Sequence, residues 1–156
     1  MCIWGICPNT FENDCSIVWD NLGKGLRQKL QRLRNRDARI ITESDYNVRS
    51  WDILTLLNWS NLETWRTQQF KTFMYKTVNG MVPNYLSNRF SPISTVHEHN
   101  LRGSNHKLFV PRPLTESLKK SFSYRGATLW NDIPFAHARA QPVAEFNSKI
   151  RTTCEY

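Results

Sequence analysis

The sequence predicts a mainly α-helical fold, a small bundle of about five or six helices with a short β-strand or hairpin near residues 101–111. Three observations carry that expectation. Apolar residues recur at i, i+3, i+4 and i+7 in several separated stretches. Glycine and proline signals, such as Asn79-Gly80 and Pro83, fall between those stretches rather than inside them. Only one short apolar run, Leu108-Phe109-Val110, sits in a segment rich in Pro, Ser, His, Asn and Gly.

The first element is a helix over 24–42. Gly23 and Gly25 precede or open it, and Thr42 marks its end. Leu26, Leu30, Leu33, Ile40 and Ile41 fall within roughly 100° of arc and are expected to dock on a core. Asp37 lies at the centre of that stripe. Buried without a partner, its carboxylate would cost several kcal/mol unless Arg34 or Arg36 reached it.

Residues 48–58 read as a short helix with Ser50 as N-cap. Ser60 and Glu63 have capping-box spacing ahead of a longer helix running to about Val78. Its face of Phe70, Phe73, Met74 and Thr77, with Leu62 in line, reads as core rather than as a base-stacking surface. Asn79-Gly80 stops it and Pro83 confirms the break. Residues 84–90 add a helical turn around Tyr85 and Leu86. Arg102-Gly103-Ser104-Asn105 is a turn into the strand, which Pro111 and Pro113 end. Helical period returns with Phe122, Gly126, Leu129 and Trp130, then with Val143, Phe146 and Ile150.

Composition excludes several classes. The chain has 156 residues, enough for one domain or two small subdomains, and needs neither metal nor disulfide to be stable. Hydrophobic residues at 40% and aromatics at 12% are too many for wholesale disorder. The longest apolar stretch is about five residues, Ile53 to Leu57, far short of a membrane span. The amino end has no positive region followed by an apolar one, so we expect an intracellular chain, cytoplasmic or nuclear, and not a secreted one. Cys2, Cys7, Cys15 and Cys154 match no zinc or disulfide spacing and are expected to be free thiols.

The net charge of +8 is concentrated. Lys24, Arg27, Lys29, Arg32, Arg34, Arg36 and Arg39 face one acid, Asp37, so sixteen positions carry +6 of it. Solvated helices interleave Glu with Lys at i, i+4, and this one does not. Five arginines against two lysines favour planar phosphate recognition. We expect contact with nucleic-acid backbone at these seven residues. A solvated or acidic-partner face is the alternative, and an anionic membrane ranks last because no large aromatic joins the leucines.

No catalytic constellation is legible. Nucleophile elbow, phosphate-binding loop and dinucleotide glycine patterns are absent, as is an adjacent Asp pair for two-metal chemistry. His97 and His99 lack nearby partners for a metal. No catalytic residue, metal or cofactor is expected. Tyr124 and Arg125 beside Lys119 and Lys120 offer a second surface, but the spacing of Phe122 and Trp130 reads as a packed helix.

The ordered blocks DCSIVWDNL, LQRLRNRDARIIT, VRSWDILTLLNWSNLETWR, MYKTVNGMVPNYL, LRGSNHKLFVPRP and FSYRGATLWNDIP run from Asp14 to Pro134. Their order and spacing resemble the region downstream of the catalytic core in reverse transcriptases of non-LTR (LINE-type) retrotransposons. The resemblance implies a parent RNA-directed DNA polymerase, with 14–90 as a basic thumb-like region and 91–156 as a C-terminal extension packed on it. Residues 1–13 match poorly. It further implies that 24–41 is a thumb helix binding RNA–DNA or RNA duplex without sequence specificity, with the palm domain as a second partner and no membrane. The palm aspartates are missing, so the resemblance implies no polymerase activity for this chain. A helical protein-interaction module and a decayed retroelement remnant are the alternatives.

Overall fold

A computed structural model of the chain describes residues 22–96 and 106–153. Among these residues it is mainly helical, the predicted class, with α1 (Lys24–Thr42), α2 (Ser50–Leu56), α3 (Leu62–Val78), α4 (Asn84–Ser87), α5 (Ile93–Val96), α6 (Glu116–Lys119), α7 (Phe122–Asn131), α8 (Phe135–Ala138) and α9 (Val143–Thr153). Four of the nine, α4, α5, α6 and α8, are single turns, which leaves five longer helices. The chain divides into two compact units, 1–67 and 68–156.

In the first unit, α1 begins after Gly23, which is extended and offers no side-chain cap. It closes on Glu43, held in the left-handed region at φ 50°. The Ser44 N–H donates to the Arg39 carbonyl at 3.1 Å and satisfies an end that would otherwise stay open. The core joins Ala38 of α1 to Ile53 and Leu54 of α2, with Leu57 and Trp59 packed against them. Ser50 is not the N-cap of α2. Arg49 takes that place without a side-chain bond, and the Ser50 hydroxyl accepts from Arg39 at 3.0 Å instead.

The start of α3 is also capped differently from expectation. The Asn61 carboxamide oxygen accepts from the Glu63 N–H at 3.2 Å, and the Gln31 carboxamide oxygen accepts from the Leu62 N–H at 2.9 Å. A long-range amide thus does what Ser60 was expected to do, and Glu63 is left to pair with Arg27. The other end behaves as read. Gly80 sits at φ 69°, and the Met81 N–H donates to the Lys76 carbonyl at 2.8 Å, closing a Schellman motif.

The second unit is built on aromatics. Phe122 touches Phe70, Phe73 and Phe90, with ring centroids 5.3–5.8 Å apart. Tyr75 stacks on Phe146 at 4.4 Å while its hydroxyl donates to the Ala140 carbonyl at 2.6 Å. Phe70, Met74, Thr77, Trp130, Phe146 and Ile150 are buried, as their spacing required. Gly126 of α7 is buried in close contact with its neighbours. A Cβ there would stand 2.7 Å from the Met74 sulfur and 3.0 Å from the Phe90 ring.

The expected strand or hairpin near 101–111 does not form among the described residues. Residues 101–105 lie outside them, and from 106 onward a single antiparallel bridge joins Leu108 to Pro92. Two main-chain bonds make it, from the Phe109 N–H to the Ser91 carbonyl at 2.8 Å and from the Ile93 N–H to the Lys107 carbonyl at 3.0 Å, and a side chain serves Leu108 itself. The Asn131 amide accepts from the Leu108 N–H at 2.8 Å and donates to the Leu108 carbonyl at 2.9 Å, as a neighbouring strand would. Prolines 111 and 113 have no N–H with which to extend a ladder.

Candidate nucleic-acid interface

The roll of α1 about its axis decides which of its cations face water. The leucine stripe was expected to face the core, and it does not. Leu26, Leu33, Ile40 and Ile41 are 53, 55, 69 and 58% exposed, Leu30 is half-buried, and the residues of α1 that are buried are Arg34 and Ala38. At about 100° per residue, that direction lies roughly a quarter-turn from the centre of the stripe.

Three contacts explain the roll. Ala38 is fully buried against Ile53 and Leu54, where a leucine would need room that its methyl does not. The Arg34 guanidinium lies 5.1 Å from the centroid of the Trp59 ring, so a nominally solvent-facing cation covers an aromatic face. Gln31 reaches the backbone of Leu62 while its NH2 donates to Asn35 at 2.7 Å. Small and polar groups with fixed geometry hold the helix, and the bulk of its leucines is not used. Asp37 turns outward with the stripe and is exposed, so the expected buried carboxylate is absent.

The seven predicted contact residues fall into two sets. Arg27, Arg34 and Arg39 are engaged within the unit. The Arg27 Nε donates to the Leu22 carbonyl at 3.0 Å and its Nη1 pairs with Glu63 at 3.4 Å. Arg34 is buried on Trp59. Arg39 donates to the Val48 carbonyl at 3.2 Å and to the Ser50 hydroxyl, with its guanidinium 5.6 Å from the Tyr46 ring centroid. These three hold α1 against the connection to α2 and the start of α3.

Lys24, Lys29, Arg32 and Arg36 are exposed. Among the described residues, none of the four shows an ion pair or side-chain hydrogen bond. Lys29, Arg32 and Arg36 lie within about 60° of arc and span about 10 Å of helix axis. Asp37 stands about 100° away from Arg36 around the helix, too far round to cap that row.

A small cleft of about 200 Å³ opens beside Arg27, Gln28, Gln31, Asn61, Leu62, Glu63 and Arg66. Ligand pockets generally exceed 300 Å³. The Arg27–Glu63 pair already occupies its wall, so it does not extend the cationic row.

The surface around α6 and α7 is largely spent on structure. The Arg125 guanidinium lies 5.6 Å from the Phe70 ring centroid, and Gly126, Ala127 and Trp130 of the same helix are buried. Lys119 is held by Glu116 at 2.5 Å, a bond that lowers the carboxyl's pKa and raises the ammonium's. Trp59 and Gln31 were not singled out in the sequence. No local signal marks either one, because the partners lie 25 and 31 residues away along the chain.

Among the described residues, no three His, Cys, Asp or Glu side chains gather as a metal site would require. His97, His99 and all four cysteines lie outside the described residues. No helix among the described residues is long and apolar enough to cross a membrane. Compared with protein-family models, with curated proteins and with solved structures, the chain matches none.

Proposed function

We propose that the chain is a non-catalytic piece of a retrotransposon-type RNA-directed DNA polymerase, the thumb-like region after the palm together with its extension. In this reading α1 binds the backbone of an RNA–DNA or RNA duplex without regard to sequence. One observation carries the binding: Lys29, Arg32 and Arg36 stand exposed in one row, with Lys24 exposed about 140° round the helix from Lys29. The ordered sequence blocks support the parent family.

Phosphate contact needs cations that are not already neutralised, held by something stiffer than themselves. A helix of 19 residues, braced through Arg34, Arg39 and Gln31, supplies the stiffness. No base-reading group is required, so the affinity is electrostatic and falls with salt. The palm of the parent polymerase is the second partner, and the location is intracellular, cytoplasmic or nuclear, where such duplexes occur. The chain itself performs no chemistry in this account.

The test is the salt dependence of binding to a labelled RNA–DNA hybrid. A steep loss of affinity with salt, reduced by Arg32→Glu with Arg36→Glu, supports the reading. Duplex affinity that ignores salt would sink it.

A further inference from the structure

The row of Leu26, Leu33 and Ile40 has no part in duplex binding, since phosphates gain nothing from leucine. These three residues are seven apart and line up along one edge of α1, with Leu30, Asp37 and Ile41 beside them. All three of the row are more than half exposed. The pattern is two heptads of a helix-pairing seam, about 20 Å long.

Charge selects the occupant. Lys29 and Arg36 flank the seam at the heptad position that faces a partner helix. A second copy placed antiparallel would bring the same two cations against themselves. Placed parallel, it would meet them with Arg34 and Ile41, so neither arrangement supplies an acid. An anionic lipid surface suits the cations but not Asp37, which would be pressed into the apolar layer between Leu33 and Ile41.

We propose that this seam docks an amphipathic helix of another protein, apolar along its own seam and acidic on the flank that meets Lys29 and Arg36. Asp37 then selects for a cation or an amide opposite it. The proposal stands on the apolar row, which duplex binding does not use; the two readings share Lys29 and Arg36, and Arg32, on the far side of the cationic arc, belongs to duplex binding alone.

The experiment uses the whole chain and two synthetic three-heptad peptides with leucine at both seam positions, one flanked by Glu and the other by Lys. The Glu peptide is expected to bind in the micromolar range, and the Lys peptide at least about tenfold more weakly. Leu33→Ser with Ile40→Ser changes exposed residues only, so helicity by circular dichroism is kept while peptide affinity falls about tenfold or more. Duplex affinity of that variant stays within about threefold of the parent, and Arg32→Glu shows the opposite pattern.

The inference is overturned if both peptides bind alike or neither binds. It is equally overturned if the chain sediments as a dimer that the double serine variant dissociates. Binding to phosphatidylserine vesicles that the same variant abolishes would point to a membrane instead.

Discussion

Reversing Arg32 and Arg36 to Glu tests the cationic row directly, and the structure sets the size of the effect. Three to four exposed cations on α1 release as many counterions, so log affinity against log salt should have a slope of about −2.7 to −3.6. Between 50 and 200 mM salt the affinity then falls about 40- to 150-fold. Had all seven cations been available, the slope would approach −6 and the fall would reach several thousandfold. The double reversal removes two contacts and sets two carboxylates against the phosphates, so its slope should be shallower than about −2. Fluorescence anisotropy of a labelled RNA–DNA hybrid in graded KCl reads both quantities. A parent slope near −6 would mean that Arg27, Arg34 and Arg39 leave their protein partners to bind. An unchanged slope in the double variant would refute the assignment of the row.

Arg34→Ala should lower stability by about 2 kcal/mol in urea unfolding, because it strips the cover from Trp59 and leaves a void beside Ala38; a loss below about 0.5 kcal/mol would contradict that packing. Gly126→Ala should cost about 1–3 kcal/mol, since its methyl needs space held by the Met74 sulfur and the Phe90 ring, and the melting temperature should fall by several degrees. Asp37→Ala should change stability by less than about 0.5 kcal/mol, as expected for an exposed carboxylate, whereas a gain of 2 kcal/mol or more would restore the buried reading.

The boundaries of α1 and the C-terminal end of α3 follow from short-range information. Gly23, the Asn79-Gly80 stop and the 3.6-residue recurrence of Phe70, Met74 and Thr77 act within a few residues of themselves, so the sequence alone determined where those helices lie and that the fold is helical. The concentration of positive charge over 24–39 was equally legible, because a count does not depend on conformation. That the Asn131 side chain would serve the main chain of Leu108 was not legible, since the two lie 23 residues apart.

Only the tertiary structure decided which way α1 turns. Periodicity nominates an apolar face, but a helix buries that face only when its neighbours in space offer apolar surface to meet it. Here the neighbours offered the flat ring of Trp59, the unfilled N–H of Leu62 and a narrow seat at Ile53 and Leu54. Arg34, Gln31 and Ala38 fit those three and the leucines did not. That choice buried Arg34, tied Arg27 and Arg39 to partners in the unit, left Lys24, Lys29, Arg32 and Arg36 exposed, and put the leucine row beside Lys29 and Arg36 in water.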